Sequence, residues 1–223
     1  MTPYQQFLQE IKSFAEPDYR EFHKKLLKND NINVLGVRVP TLRKLAQKYR
    51  GEVDNILTFP DEFYEVTFIK LCAVALLDYD DFLERLDTCV KLIDNWATCD
   101  CFTPKCIAKH KEDFLPVIRK YAAKQGEFEQ RFALTTLLHF YVEENYLETI
   151  FSLVERCDTS KYYVHMAAAW LIAETLVKYY PRARDFLMEN SLDKKTHNKA
   201  IQKACESFRL PINDKNYLKG MKR

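Results

Sequence analysis

The chain has 223 residues, which is enough for one large domain with a substantial core. Hydrophobic residues make up 47% and charged residues 30%, so the composition excludes a disordered chain, and no apolar run is long enough to span a bilayer. The formal net charge is only +2, so any polyanion would have to be bound by local clusters of the 34 Lys and Arg residues. Seven Cys in apolar contexts, without a signal-peptide pattern at the start, favour a reducing cytoplasm.

Glycine is scarce, with only four residues in the chain. Sheet-rich folds and glycine-rich nucleotide loops need more, so the composition favours helices joined by short links that contain Asn, Asp or Pro. Apolar residues recur at intervals of three and four, and no alternating strand pattern competes. The predicted helices cover residues 3–15, 18–28, 41–50, 62–77, 80–93, 98–109, 114–123, 127–141, 146–156, 162–178, 181–189 and 194–208, with a loop at 29–31.

From residue 60 onward the predicted helices form pairs that recur every 30 to 40 residues. This spacing is typical of antiparallel helical hairpins that stack on one another rather than of a closed bundle. The predicted fold is therefore all-α, a curved α-solenoid that forms a single domain over residues 1–223. A solenoid presents a concave face lined by one helix of each pair, and it lacks the strand ends where nucleotide cofactors usually bind. Such a face suits a long partner, which can be a peptide, an RNA or a DNA duplex.

The segment 94–102, Asp-Asn-Trp-Ala-Thr-Cys-Asp-Cys-Phe, places an indole and a carboxylate four residues apart. On a helix, Trp96 and Asp100 would share one face and combine an aromatic surface with an acid. The alternative is structural, with Trp96 as an anchor in the core and Asp100 as a cap for the segment that follows. The pattern alone does not decide between the two.

Two later segments carry further candidates. Arg131 lies in Gln-Arg-Phe-Ala-Leu at the edge of an apolar helix, and the simplest interpretation is a surface salt bridge to Glu127 or Glu129. Trp170, the second of the two Trp residues, follows three Ala residues that would let a neighbouring helix approach closely, which favours a packing role. We nevertheless predict that Trp96 and Trp170 meet.

Basic residues cluster near the N-terminus and in the run 194–203, which begins a helix and is rich in side-chain types that contact phosphates. A solvated charged face is the commoner role of such a cluster. The candidates for DNA binding in the two clusters are Arg38, Arg43, Lys44, Lys195, Asn198, Lys199 and Lys203.

Signatures of the common catalytic classes are absent from the sequence. Cys99, Cys101, Cys106 and His110 do not have the spacing of a common structural zinc site, so no metal is predicted. The chain also lacks a glycine-rich phosphate loop and the patterns GxSxG, HExxH and Cys–His nucleophile, so hydrolase, kinase and protease functions lose their usual support.

Four segments, taken together in their order and spacing, closely resemble the AlkD-like DNA glycosylases, the HEAT-repeat family of alkylpurine DNA repair enzymes. Three are active-site segments, which carry Trp96-x-x-x-Asp100, Arg131 and Trp170 here. The fourth, Leu-Gly-Val-Arg-Val-Pro-Thr-Leu-Arg at 35–43, is similar to that family's LGI-x-x-P-x-x-R segment. The resemblance extends from about residue 5 to residue 210, and it implies HEAT-like helical pairs with a concave DNA-binding face.

The resemblance also implies an activity, the excision of cationic alkylated purines (3-methyladenine and 7-methylguanine type) from double-stranded DNA by a monomer without metal or organic cofactor. An alkylated base already carries positive charge and leaves without a general acid, so the difficulty lies in the oxocarbenium character of the sugar. Asp100 matches the family's catalytic acid, which stabilises this charge and positions water. Trp96 and Trp170 match the indoles that flank the damaged nucleotide, where aromatic faces attract cations by roughly 0.5–2 kcal/mol. Arg131 matches the Arg that binds a backbone phosphate.

The sequence departs from the family at two positions. Leu26 stands where an aromatic residue is expected and Asn198 where a basic residue is expected, and both changes predict a weaker grip on the lesion. Two other functions stay open on the sequence alone: a HEAT-like protein that binds distorted or branched DNA without catalysis, and a helical scaffold that binds a protein. The joint presence of the four active-site candidates favours the enzyme, because a scaffold has no reason to keep all four on one face.

Overall fold

A computed structural model describes residues 1–27, 29 and 31–223, and within these residues the chain forms helices and no β-strand. The predicted all-α class is confirmed. The described helices are α1 (Pro3–Lys12), α2 (Pro17–Leu27), α3 (Val39–Lys48), α4 (Val53–Leu57), α5 (Tyr64–Val74), α6 (Tyr79–Leu92), α7 (Trp96–Cys101), α8 (Lys111–Ala122), α9 (Glu127–Phe140), α10 (Leu147–Arg156), α11 (Tyr162–Lys178), α12 (Tyr180–Glu189), α13 (Lys194–Glu206) and α14 (Ile212–Gly220), with short 3-10 turns at Tyr49–Glu52, Lys105–Lys109 and Glu144–Tyr146.

The chain divides into two compact units, an N-terminal unit of Met1–Lys109 and a C-terminal unit of His110–Arg223. The single domain and the curved solenoid stay predictions. None of the described helices combines the length and the hydropathy that a membrane crossing requires.

The N-terminal unit is built around α5, whose residues are all buried. Helices α3, α4, α6 and α7 each pack against it, which is why α5 is apolar on nearly every side. Two of its charged side chains, Glu65 and Lys70, are buried as well. The Lys70 ammonium donates to the Phe59 carbonyl at 2.5 Å and to the Asp61 carboxylate at 2.9 Å, so its charge is paired and hydrogen-bonded.

The buried Glu65 carboxylate holds the segment that leads into α3. It accepts hydrogen bonds from the backbone N–H groups of Leu35 at 2.9 Å, Gly36 at 2.8 Å and Val37 at 3.3 Å. Gly36 has φ +94°, and a Cβ there would lie 2.6 Å from the Arg20 Cβ, so only glycine fits. These contacts fix where α3 starts relative to α5.

In the C-terminal unit, helices that alternate in the chain are neighbours in space. Helix α9 packs against α8 and α11, and α11 packs against α12 and α13. Helices α9, α11 and α13 therefore form one row, in which ten of the 17 residues of α11 are buried. Stacking of helical hairpins requires neighbours of this kind.

Several predicted boundaries were wrong. The predicted helix over 98–109 is two elements: α7 ends at Cys101, and the separate 3-10 turn Lys105–Lys109 follows Pro104, which has no backbone N–H to continue the helix. Helix α3 begins at Val39 rather than at residue 41, because Pro40 is well suited to the first turn of a helix. Helices α4 and α14 were not predicted at all. The predicted end of the second helix at residue 28 and residue 30 of the predicted loop lie outside the described residues.

Candidate functional site

Helix α7 begins at Trp96 because Asn95 caps it. The Asn95 side-chain oxygen accepts hydrogen bonds from the backbone N–H groups of Ala97 at 2.9 Å and Thr98 at 3.0 Å. The Asn95 amide in turn donates to the Asp94 carboxylate at 2.7 Å, and the Asn95 side chain is almost completely buried. This cap fixes the start of the helix.

Trp96 and Asp100 are the first and fifth residues of α7, so helical geometry places them on one face. Both are half-buried, whereas the three residues between them, 97–99, are buried. The buried side of α7 is thus formed by the intervening residues. A role for Trp96 as a simple core anchor does not fit this exposure.

Arg43 of α3 approaches the end of α7 next to Asp100. Burial raises the pKa of the Cys101 thiol, while the charge and hydrogen bond of the Arg43 guanidinium act to lower it and the Asp100 charge acts to raise it. Both Arg43 and Asp100 therefore lie within interaction range of Cys101. Arg43 and Asp100, two of the predicted site residues, therefore have Cys101 as a common neighbour.

A cavity of about 340 Å³ lies beside this thiol. It opens between α3, α5 and the chain that follows α7. The lining residues are Arg43, Ala46, Gln47, Cys72, Ala75, Leu76, Cys101, Thr103 and Lys105.

The other predicted basic residues of the N-terminal unit, Arg38 and Lys44, differ in whether a carboxylate pairs with them. Arg38 forms a two-point ion pair with Glu16, with Nε–Oε1 and Nη2–Oε2 distances of 2.8 Å, and its guanidinium lies 4.9 Å from the Tyr19 ring centre. The pairing raises the pKa of Arg38 and lowers the pKa of Glu16, so a phosphate would have to compete with this carboxylate. Lys44 is exposed and has no ion-pair partner among the described residues.

Arg131 of α9 is buried, with 5% of its surface exposed, so the interpretation as a surface salt bridge was wrong. Its Nη1 donates to the Tyr163 carbonyl at 2.8 Å, and its guanidinium lies 5.8 Å from the Tyr163 ring centre. One helical turn earlier, the Glu127 carboxylate accepts the Tyr163 N–H at 2.7 Å. Two charged side chains of α9 thus hold the first turn of α11, the helix that carries Trp170.

Trp170 is 36% exposed, which does not fit a role in packing alone. Its ring makes an edge contact with His139 at a centroid distance of 6.3 Å. The indole also lines a groove of about 280 Å³ together with Lys203 and the ion pair of Arg209 and Glu174, whose Nη2–Oε2 distance is 2.6 Å. Trp170 and Lys203, predicted separately, are therefore brought together.

Three lysines of α13 lie at intervals of four residues, which places them along one side of the helix. We call Lys195, Lys199 and Lys203 the α13 lysine row. Burial lowers the pKa of His165 on α11, and the positive charges of all three lysines lower it further while Asp193 acts to raise it. The row therefore lies within electrostatic range of one buried imidazole.

Asn198 lies beside this row, and its side chain is engaged within the protein. Its amide nitrogen donates to the backbone carbonyl of Arg223 at 2.9 Å, and its amide oxygen accepts the Arg223 backbone N–H at 2.9 Å. A contact with DNA would need this pair to open.

A protein-family model described as DNA alkylation repair enzyme matches residues 7–208. The chain belongs to this family. The match includes both tryptophans, Asp100, Arg131 and the α13 lysine row, and it bears out the resemblance seen in the sequence. A search of curated proteins finds no match to the chain.

Membership of the DNA alkylation repair family gives the chain a role in the repair of alkylated DNA. Three residues that position the candidate groups escaped the sequence analysis. Asn95 could have been recognised, because Asn directly before a helix is a common cap. Tyr163 gave no such signal, since its partners Glu127 and Arg131 lie on another helix, and Lys105 gave none because only the fold places it at the cavity. In the described part of the chain, no three His, Cys, Asp or Glu side chains are grouped as metal ligands would be.

Proposed function

We propose that this member of the DNA alkylation repair family is a monofunctional DNA glycosylase that acts on cationic alkylated purines, of the 3-methyladenine and 7-methylguanine type, in double-stranded DNA. The observation that supports the proposal most directly is α7, where a cap fixes a half-exposed indole and a half-exposed carboxylate on one face. In a chain of this family, we place the cleavage of the glycosidic bond at Trp96 and Asp100.

The proposed reaction breaks the bond between the sugar C1′ and the purine nitrogen. Its electron pair leaves with the cationic base, which departs neutral, so no general acid is needed. The sugar gains oxocarbenium character, and the Asp100 carboxylate would stabilise that positive charge and orient the water that adds to C1′ and loses one proton to the solvent. Trp96 would add the attraction of an aromatic face for the same cation, worth about 0.5–2 kcal/mol depending on desolvation.

The C-terminal unit would hold the DNA. Trp170 would place its exposed indole against the damaged nucleotide, and the α13 lysine row would contact phosphates of the flanking duplex. Arg131 would bind a phosphate near the lesion through a charge-assisted hydrogen bond. We further propose that the helical pairs stack as HEAT-like repeats with a concave DNA-binding face, and that the protein acts as a monomer.

Replacement of Asp100 tests the mechanism. In the Asp100→Asn protein we expect release of alkylated purine from methylated duplex DNA to fall about 10²–10³-fold, the usual effect of removing one electrostatic group from a reaction centre. Duplex affinity should change little, because Asp100 is proposed to act at the sugar and to contact no phosphate. The released bases are quantified by chromatography, and affinity is measured by fluorescence anisotropy. The matched control is Asp80→Asn, which removes an exposed carboxylate from α6 of the same unit.

Two other outcomes would contradict the proposed mechanism or the proposed function. Excision by the Asp100→Asn protein at the wild-type rate would sink the mechanism. A wild-type protein that binds methylated duplex but releases no base would favour the family member that binds distorted or branched DNA without catalysis.

A further inference from the structure

The cavity between α3, α5 and the chain after α7 carries two cations that form no ion pair with any described residue. Arg43 and Lys105 both line it, both are exposed, and neither forms an ion pair with any described residue. None of the described residues that line the cavity carries a carboxylate. Two positive charges that share one concavity attract an anion, because their fields add inside it.

Three other cations of the N-terminal unit are each paired with a carboxylate. Arg38 pairs with Glu16, Lys48 with Glu10 at 2.6 Å, and Arg85 with Asp54 at 2.8 Å. Arg43 and Lys105 differ from these three cations because neither has a carboxylate partner among the described residues.

The rest of the lining indicates which kind of anion fits. Gln47 and Thr103 offer neutral hydrogen-bond donors, whereas Ala46, Ala75 and Leu76 give the cavity an apolar part. A backbone phosphodiester has matching character, since it presents charged oxygens next to the apolar carbons of a sugar. An amphipathic cavity of this kind suits a nucleic-acid strand better than a fully hydrated small ion.

We propose that this cavity binds one phosphate of the DNA backbone through Arg43 and Lys105, and that this contact positions the strand beside Asp100. Cys101, which follows Asp100 directly in the chain, lines the cavity, so a strand fixed there lies next to the proposed reaction centre. The inference rests on the proposed function in taking DNA as the ligand. Lys105 is the new residue in this proposal, because neither the sequence nor the family resemblance indicated it.

Cys101 offers a direct readout of what occupies the cavity. Its half-buried thiol lines the cavity within hydrogen-bonding reach of the Arg43 guanidinium, so a bound phosphate would cover it. Cys205 of the C-terminal unit is half-buried too, its Sγ faces the Lys215 carbonyl of α14, and it is not among the residues that line this cavity. Labelling of the full chain with a small methanethiosulfonate reagent, quantified for each cysteine by peptide mass spectrometry, compares the two sites.

A duplex should slow the labelling of Cys101 relative to Cys205. Inorganic phosphate at the same ionic strength should protect Cys101 much less, because it lacks the sugar and the neighbouring contacts. An unchanged rate at Cys101 with saturating duplex would overturn the proposal. Protection by inorganic phosphate and not by duplex would overturn it as well, and would make this a site for free phosphate.

A matched pair of variants tests Lys105 itself. Lys105→Gln should reduce the slope of log affinity against log salt concentration by up to about 0.9, the value for one neutralised phosphate, because Arg43 still contacts that phosphate. Lys109→Gln removes an exposed lysine from the same 3-10 turn, outside the cavity lining, and should leave the slope unchanged. Equal slopes for the two variants would contradict the proposal.

Neutral methylphosphonates, placed one at a time along the duplex, locate the phosphate. One position should weaken binding by the wild type more than binding by the Lys105→Gln protein, because in the variant only Arg43 still contacts the phosphate at that position. If the two proteins respond alike at every position, Lys105 holds no single phosphate.

Excision by the wild type, measured in the same samples, separates the two proposals. Protection of Cys101 without release of base leaves the phosphate site in place and removes the glycosylase function. Release of base without protection of Cys101 removes the phosphate site alone.

Discussion

At the scale of single residues, Asn95 decides where α7 begins and therefore where Trp96 and Asp100 lie. Its side chain satisfies two backbone N–H groups that would otherwise be buried without partners. We expect Asn95→Ala to lower the free energy of unfolding by about 1–2 kcal/mol through loss of the cap, and to slow excision because Asp100 loses its fixed position. Chemical denaturation and single-turnover excision measure the two effects.

Asn95→Ser provides the control for this prediction, because serine caps helices through its hydroxyl and needs no amide. It should recover most of the lost stability and excision. Equal stability and equal excision in the alanine variant and the wild type would show that the cap does not position the site.

Gly36 shows what a sequence pattern can and cannot reveal about a residue. The segment 35–43 was recognisable from its resemblance to the family, but the reason for its glycine was not. That reason is the positive φ, together with the close approach of α2 and the three backbone N–H groups held by Glu65, about thirty residues away in the chain. Such long-range contacts leave no local trace in the sequence.

At the scale of elements, periodicity was a good guide where helices are long. The starts and ends of the predicted helices over 127–141 and 162–178 agree with α9 and α11 to within one residue. Short helices gave weaker signals: α4 spans only Val53–Leu57 and was missed, and the end of α7 was placed too late. Five or six residues contain too little periodicity to be recognised, so caps and prolines have to supply the boundary.

The contact between α11 and α13 yields a prediction about pH. His165 has a lowered pKa because it is buried, and because the α13 lysine row adds positive charge nearby. If these lysines contact phosphates, bound DNA compensates their charge and the pKa of His165 rises. A pKa that rises on binding means proton uptake, so this group favours DNA binding as the pH falls through the interval between its free and bound pKa values.

Imidazole resonances in NMR spectra, recorded over pH with and without duplex, measure this shift. His197, on α13 itself, is the internal reference: its pKa is lowered by burial, the Met221 carbonyl acts to raise it and Arg223 to lower it. A larger upward shift at His165 than at His197 is expected. Equal shifts, or none, would place the lysine row away from the DNA.

At the scale of the whole molecule, the net charge of +2 does not indicate where the positive and negative side chains lie. Predicted DNA-binding residues that looked alike in the sequence differ in the structure: Arg38 is paired with Glu16, Asn198 holds a backbone segment, and Arg131 is buried against Tyr163. The sequence could supply the residue types and their order. It could not supply their partners, because these lie on other helices, and the predicted meeting of the two indoles stays a prediction.

Salt dependence tests whether the molecule binds DNA through the charges assigned to it. Affinity for a duplex should fall steeply as salt rises, because each lysine that binds a phosphate releases a counterion. Replacing the α13 lysine row by Gln should reduce the slope of log affinity against log salt by about 0.9 for each phosphate that the row neutralises, up to ~2.7 in total. Anisotropy titrations at several salt concentrations provide the slopes.

The matched variant replaces three exposed lysines of the same unit that were not predicted to touch DNA, Lys178, Lys219 and Lys222. It changes the net charge by the same amount, so a general loss of positive field would reduce both slopes alike. We expect the row variant alone to show the large change, since local binding of phosphates rather than net charge releases the counterions. Salt-insensitive binding by the wild type would instead indicate a helical scaffold for a protein partner.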